Sequence, residues 1–173
     1  MASESMPAGS PDEALAWVGL GANLGEPEDM VERALTRLDG LPRTRVLRRS
    51  SLYRSPPMGP ADQPDYVNAV AGLDTGLAPQ ALMASLLELE VSLGRRREGV
   101  RWGPRHIDLD LLCYGAHQCR DDRLTLPHPG VGERAFVLLP LAEVAPALEI
   151  PGQGRVRELL AQVDTAGMER IGE

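Results

Sequence analysis

The chain has 173 residues, of which 43% are hydrophobic and 25% charged, with a formal net charge of −7 and a pI near 5.0. This length predicts one globular domain, and the composition excludes disordered, collagen-like and disulfide-stapled chains. The acidic balance disfavours nucleic-acid and anionic-membrane partners, and no segment approaches the roughly 20 apolar residues of a membrane span.

The basic and sulfur-containing side chains exclude further classes. All 18 basic residues are arginine, so the chain has neither the lysine of a P-loop nor a Schiff-base lysine. Cys113 and Cys119 fit neither a C-x-x-C redox pair nor a zinc ribbon, which favours reduced thiols in a cytoplasmic protein. Residues 1–13 are small and polar, and we expect a loose tail before a single domain at residues 14–173.

The first half of the chain predicts two strands, a helix and an extended segment. Residues 14–20 form a short apolar run and lead into GLGANLG, which we interpret as a tight strand-to-helix turn. Its G-x-G-x-x-x-G spacing differs from the dinucleotide-binding fingerprint. Pro27 suits the start of a helix that Gly40 ends. An extended segment follows at residues 43–54, then a proline-rich loop and a strand at residues 66–73.

The second half predicts a helix at residues 79–93, an exposed basic loop at 95–105, and the clearest strand, HIDLDLLCY, at 106–114. A short strand at 124–126 and short helices after residue 130 complete the chain. Two extended segments follow one another between residues 43 and 73. This order favours an antiparallel α+β sandwich over a doubly wound parallel sheet.

Two aspartates on the clearest strand are candidate metal ligands. Side chains alternate along a strand, so Asp108 and Asp110 share one face while Ile107, Leu109 and Leu111 face the core. Two carboxylates this close resist joint ionisation unless a cation neutralises them, and Mg²⁺ is held by such pairs together with waters and phosphates. The alternative is the exposed polar face of an edge strand.

The basic loop next to this strand points to a phosphate ligand. Five arginines lie between residues 95 and 105, in a protein that is acidic overall. Planar guanidinium groups suit phosphate oxygens, and a nucleoside triphosphate requires both arginines and Mg²⁺. A solvated charged loop is the alternative interpretation.

Other residues are weaker candidates. The prolines between Pro56 and Pro64, beside Tyr66 and Asn68, are suited to form a rigid wall for a flat heterocycle, although a stiff surface loop with a core tyrosine is the better explanation of these residues taken alone. His128 suits a proton carrier or a phosphate contact, but an isolated histidine is more often structural.

Four segments together resemble a known family. GLGANLG, SLYRSPPMGPADQPDYVNAV, GRRREGVRWGPRHIDLDLL and LTLPHPGVGERAFVLLPLAEVAP, in this order, resemble 6-hydroxymethyl-7,8-dihydropterin pyrophosphokinase of folate biosynthesis. The resemblance implies an α+β fold, a ferredoxin-like α/β/α sandwich with a mostly antiparallel sheet. It also implies a cytoplasmic monomer that transfers pyrophosphate from ATP to the pterin hydroxymethyl group and releases AMP, without nucleic-acid or membrane partners.

The resemblance also implies roles for individual residues. Asp108 and Asp110 would be catalytic and would hold two Mg²⁺ ions, and Arg95 and Arg105 would act on the phosphates from a mobile loop. The residues expected to contact ATP are Glu90, Arg97, Arg101, Leu111, Arg123, Leu124, Thr125, His128 and Arg134. Those expected to contact the pterin are Ser55, Pro56, Met58, Tyr66, Asn68, Trp102 and Phe136.

Two positions depart from the family pattern, namely Pro129, where the family often has tyrosine, and Leu87, where it is often polar. Another Mg²⁺-dependent nucleotidyl or phosphoryl transferase is the nearest alternative function. A ferredoxin-like binding module without catalysis is the alternative from a different class. The aspartate pair disfavours this module, because binding a pterin alone does not need metal carboxylates.

Overall fold

The computed structural model describes residues 15–57, 64–94 and 107–171. The predicted tail at 1–13, Met58 in the proline-rich loop, and the predicted arginine loop with Trp102 lie outside the described residues. The division into a tail and one domain therefore stays a prediction.

The secondary structure consists of ten strands and four α-helices within the described ranges. In chain order these are β1 Ala16–Ala22, α1 Pro27–Asp39, β2 Thr44–Arg49, β3 Tyr53–Ser55, β4 Tyr66–Thr75, α2 Pro79–Ser92, β5 Asp108–Tyr114, β6 Cys119–Arg120, β7 Thr125–Leu126, α3 Ala135–Val144, β8 Glu149–Ile150, β9 Gly154–Arg155, α4 Val156–Leu160 and β10 Glu169–Arg170. A 3₁₀ turn at Val131–Glu133 precedes α3.

The main sheet has the order β10-β3-β4-β1-β5, and β2 pairs with the far half of β4. Every pairing in it is antiparallel. Two short hairpins, β6–β7 and β8–β9, lie outside this sheet. The predicted antiparallel α+β arrangement is therefore confirmed.

Helices cover both faces of the sheet because its strands bury apolar side chains on both sides. On one face, leucines and valines of α1 and α2 pack against the strands, with Leu38 and Leu86 fully buried. On the other face, α3 and α4 enclose a second core around Trp17 and Leu138. The structure is thus the three-layered sandwich expected from the sequence.

Three features differ from the sequence prediction. Gly19 and Gly21 lie within β1, not in a turn after it, because the strand continues to Ala22. The extended segment at 43–54 is divided into β2 and β3 at Ser50, whose Oγ accepts the Val70 N–H at 2.9 Å in place of a regular ladder bond. The two-residue strands β6, β8, β9 and β10 are too short to leave a periodic pattern.

The two longer helices begin as predicted, with Pro27 and Pro79 as their first residues. Helix α3 contains Pro140, which has no N–H to donate to the Phe136 carbonyl one turn earlier. Within the described ranges, no helix is both long enough and apolar enough to cross a bilayer.

Candidate functional site

A cleft of about 550 Å³ opens on the sheet face that carries α3, above β1, β4 and β5, and extends round the β5 edge to α2. Many of the side chains proposed from the sequence line it. They are Tyr66, Asn68, Glu90, Asp108, Asp110, His128, Arg134 and Phe136.

The two aspartates of the cleft lie opposite glycines. Asp108 pairs in register with Gly21, and Asp110 with Gly19, while both aspartates are half-buried. Because glycine has no side chain, the space beside each carboxylate stays open to a ligand. Asp108 also has a polar partner of its own.

This donor set fits magnesium bound together with a phosphate substrate. Among the described residues, no group of three or more His, Cys, Asp or Glu side chains converges as a metal cage. Mg²⁺ does not require such a cage, because it usually takes one or two carboxylates and completes its shell with waters and substrate phosphates. Two carboxylates beside an open cleft therefore meet its requirements.

Three side chains that line the cleft are of types that suit a flat, polar ring. Tyr66 on β4 and Phe136 on α3 are both half-buried and line the cleft from different elements. Asn68 is buried on the same strand face as Tyr66, and its Nδ2 donates to Ser55 Oγ at 2.7 Å. This bond orients the amide, whose donors and acceptor match the edge of a heterocycle.

Glu90 of α2 binds the edge strand β5 beside the cleft. Its Oε2 accepts the Leu109 N–H at 2.7 Å, and the residue is only 3% exposed. β5 is the end strand of the described sheet, so this carboxylate satisfies an N–H that points away from β1. Glu90 therefore both lines the cleft and fixes the strand that carries the aspartates.

His128 and Arg134 also line the cleft, and the His128 N–H donates to the Leu112 carbonyl of β5 at 2.8 Å. Burial lowers the pKa of His128 below its ordinary value of 6.5 and outweighs the opposing charge of Asp110, while Arg134 lowers the pKa further. His128 Nδ1 accepts the Gly130 N–H at 3.1 Å, which places the proton of the neutral ring on Nε2. The Arg134 guanidinium lies 5.7 Å from the centre of the Phe136 ring, within cation–π range.

Several predicted site residues lie away from the cleft. Ser55 is buried behind Asn68, and Pro56 is exposed at the end of β3. Leu111 and Leu124 belong to the core on the opposite face of the sheet. Arg123 and Thr125 lie in the β6–β7 hairpin, where the Arg123 N–H donates to Asp121 Oδ1 at 2.8 Å. Arg95, Arg97, Arg101, Trp102, Arg105 and Met58 are outside the described residues.

Three further lining residues were not among the contacts expected from the sequence, although Leu87 is one of the two positions that depart from the family pattern. Met83 and Leu87 of α2, with Val137 of α3, add apolar surface to the cleft, and Leu87 is 48% exposed. The sequence signal for this part of the cleft was Leu87, an apolar residue at a helix position whose spacing predicts exposure to solvent. Nothing in the spacing of Gly19 and Gly21 indicates that they face the aspartates, because strand register is a tertiary property.

Sequence comparisons agree on one family. The family model described as 7,8-dihydro-6-hydroxymethylpterin-pyrophosphokinase matches residues 17–146. The 2-amino-4-hydroxy-6-hydroxymethyldihydropteridine pyrophosphokinase of Methylorubrum extorquens is 49% identical over 156 residues, covering 90% of this chain and 98% of that protein. The protein of the same name from Pseudomonas aeruginosa is 47% identical over 155 residues, covering 90% and 95%.

Solved structures support the fold. The wild-type HPPK-DHPS of Plasmodium falciparum superposes with a TM-score of 0.66 at 12% identity, covering 86% of this chain. The present chain spans 43% of that longer chain, so the match concerns one part of it. The ferredoxin-like arrangement expected from the sequence is confirmed by this neighbour. With two paired aspartates in an open cleft, the antiparallel sandwich and close relatives along nearly its whole length, the chain belongs to the 7,8-dihydro-6-hydroxymethylpterin-pyrophosphokinase family.

Proposed function

We propose that the cleft is where this chain carries out the reaction of its family, the transfer of pyrophosphate from ATP to the hydroxymethyl group of 6-hydroxymethyl-7,8-dihydropterin. In this reaction the hydroxyl oxygen bonds to the β-phosphorus and gives up its proton to solvent, while the bond from that phosphorus to the α–β bridging oxygen breaks and AMP leaves with that oxygen. The observation that carries the proposal is the register of Asp108 and Asp110 with Gly21 and Gly19, in a cleft that Tyr66, Asn68 and Phe136 also line.

Asp108 and Asp110 would hold the two Mg²⁺ ions that the family resemblance implies. Magnesium bound there supplies charge neutralisation for the phosphate oxygens. Through bound magnesium the carboxylates would orient the triphosphate beside β5, and the absence of side chains at Gly19 and Gly21 leaves room for it. The reacting phosphate would then lie in the same cleft as Asn68.

Arg134 and His128, which also line the cleft, would bind phosphate oxygens. A guanidinium donates to phosphate through several N–H groups at once. His128, whose pKa is lowered by burial, is neutral at pH 7 and donates through Nε2–H. The sequence resemblance adds Arg95, Arg97, Arg101, Arg105 and Arg123 as phosphate contacts, and Glu90, Leu111, Leu124 and Thr125 around the nucleotide.

Tyr66 and Phe136 would stack on the two faces of the pterin, and Asn68 would bond its polar edge. Offset aromatic stacking contributes on the order of 1 kcal/mol for each ring beyond burial. Ser55 contributes by orienting the Asn68 amide. The resemblance adds Pro56, Met58 and Trp102 to this end of the cleft.

The proposal includes a monomer in the cytoplasm. Cys113 and Cys119 are free thiols, which suits a reducing compartment.

Replacement of the aspartates tests the proposed site. We expect Asp108→Ala and Asp110→Ala each to lower AMP formation by at least about a hundredfold, the order expected for loss of positioned charge in phosphoryl-type transfer. Both side chains lie on the cleft face of β5 and not in the core that α1 and α2 cover, so the circular-dichroism melting curve should change little.

Asp74→Ala is the matched control, because Asp74 lies at the far end of β4, where it pairs with Arg45 at 3.5 Å. It should leave AMP formation unchanged. A near wild-type rate for Asp110→Ala at saturating Mg²⁺ would show that the metal site is misassigned. ADP instead of AMP as product would indicate simple phosphoryl transfer.

A further inference from the structure

We propose that Glu143, which lies outside the cleft, is a positioning residue that holds the Phe136 wall of the pterin slot against the Asn68 wall. The inference rests on the proposed function, because it takes Tyr66, Asn68 and Phe136 as the slot. It is carried by a set of contacts that joins helix α3 to strands β3 and β10.

The Glu143 carboxylate connects three separate segments. Its Oε1 accepts the Ser51 N–H at 2.9 Å and the Tyr53 hydroxyl at 2.8 Å, and its Oε2 accepts the Ser51 hydroxyl at 2.9 Å. Arg170 of β10 lies 3.6 Å from Oε2. Hydrogen bonds to a charged acceptor are stronger than neutral ones, and three of them restrict the carboxylate far more than a surface ion pair does.

Helix geometry relates this anchor to the cleft. Glu143 follows Phe136 by seven residues, which is close to two full turns, so both side chains lie on the same face of α3. Pro140 cannot donate to the Phe136 carbonyl, so the turn that carries Phe136 lacks one helical hydrogen bond. The position of Phe136 therefore depends more strongly on the contacts between α3 and the sheet.

Strand β3 relates the same anchor to the opposite wall. Tyr53, which bonds Glu143, is the register partner of Asn68. Two residues further on, Ser55 accepts the Asn68 amide at 2.7 Å. One short strand thus carries both the contact to α3 and the contact that orients Asn68, so a shift of β3 relative to α3 would change the slot from both sides.

The buried Tyr53 hydroxyl requires the Glu143 carboxylate as its hydrogen-bond acceptor. Tyr53 is 6% exposed, and a buried hydroxyl without an acceptor is unfavourable. Arg170 adds a contact from β10, a strand that pairs with β3 through Arg170 and Tyr53 and lies beyond the residues matched by the family model. The C-terminal segment therefore supports the slot although it contributes none of its described lining residues.

Affinity measurements on separate ligands test this inference. We expect Glu143→Ala to raise the Kd of 6-hydroxymethyl-7,8-dihydropterin, measured by calorimetry with a nonhydrolysable ATP analogue present, by about tenfold, which is roughly 1.4 kcal/mol. The Kd of the Mg²⁺–analogue complex alone should change less than about twofold. Glu143→Gln keeps one acceptor oxygen and should show an intermediate effect.

Two further variants control for general destabilisation. Tyr53→Phe removes a single hydroxyl and should also raise the Kd of the pterin. This variant still tests the inference if Glu143→Ala does not fold. Asp39→Ala removes another carboxylate anchor, the hydrogen bond that Asp39 Oδ1 accepts from the Val46 N–H at 2.8 Å, which joins the end of α1 to β2. It should leave both affinities unchanged.

Asn68→Ala separates this inference from the proposed function. Suppose that Asn68→Ala weakens pterin binding. If folded Glu143→Ala and Tyr53→Phe leave pterin affinity unchanged, or weaken the binding of pterin and of the ATP analogue equally, the positioning role of Glu143 is wrong while the assignment of the pterin slot is retained. If Asn68→Ala also leaves pterin affinity unchanged, the slot itself is wrong and the inference fails with it.

Discussion

Gly21 shows how one missing side chain shapes the cleft. A Cβ atom at this position would lie 3.2 Å from Asn68 Oδ1, closer than ordinary contact allows. The residue pairs with Asp108 on one side and Asn68 on the other, so it lies between the proposed metal ligand and the proposed pterin contact. Its negative φ means that this glycine is needed for space and not for backbone conformation.

We predict that Gly21→Ala weakens pterin binding about three- to tenfold, because the Asn68 amide must move by a few tenths of an ångström to admit the methyl group. Calorimetry with the nonhydrolysable ATP analogue present measures this change, and thermal unfolding checks that the fold is retained. Unchanged pterin affinity would show that the Asn68 amide does not contact the ligand.

At the scale of elements, the second core depends on close packing between β1 and β4. Gly72 of β4 pairs with Trp17 of β1, and a Cβ there would lie 2.8 Å from the indole ring and 3.0 Å from Leu15. Trp17 is fully buried, so its ring has little space into which it can move. The glycine therefore allows the strand pair to cover the largest side chain of this core.

We predict that Gly72→Ala lowers the free energy of unfolding by about 1–3 kcal/mol, the usual cost of overpacking a well-filled core. Urea denaturation measures this loss. Gly40→Ala is the control, because a Cβ at Gly40 would contact only the Arg37 carbonyl at 3.6 Å. Pterin affinity should not change in Gly72→Ala, since the added methyl group lies in the second core. Equal stability of the two variants would contradict the packing argument.

At the scale of the whole molecule, carboxylates tie helices to the sheet on both faces. On one face the hydrogen bond from Arg49, with its charge, outweighs desolvation and holds the pKa of Glu32 below its ordinary value of 4.5. On the other face desolvation raises the pKa of Glu143, but the bonds from Ser51 and Tyr53 and the Arg170 charge outweigh it, so the pKa is also lowered. Both groups therefore favour the folded state when ionised.

The sign of the resulting pH dependence follows from linkage. A carboxyl with a lowered folded pKa contributes its full stabilisation above its unfolded pKa, near 4.5, and loses it as the pH falls through the folded value. We predict that, below about pH 4.5, the free energy of unfolding of the double variant Glu32→Gln/Glu143→Gln falls less steeply with decreasing pH than that of the parent chain. Denaturation midpoints measured between neutral and acidic pH check this, with the exposed Glu88→Gln as control. An unchanged slope would show that other groups dominate acid unfolding.

The sequence alone was sufficient for much of the fold because local patterns encode local structure. Alternation in HIDLDLL places Asp108 and Asp110 on one face, and Pro27 and Pro79 mark the starts of two helices, since proline is favoured at the first helical position. The succession of extended segments between residues 43 and 73 indicates antiparallel pairing. The specific motif around the aspartates identified the family.

Only the tertiary structure decided which residues meet. Register is set by how whole strands pair, so the sequence did not reveal that Gly19 and Gly21 continue β1 and lie opposite the aspartates. Leu111 and Leu124, expected near the nucleotide, are buried on the opposite face, because the face of a residue depends on the sheet as a whole. The Glu143 contacts join segments about ninety residues apart, and no local pattern encodes an interaction over that separation.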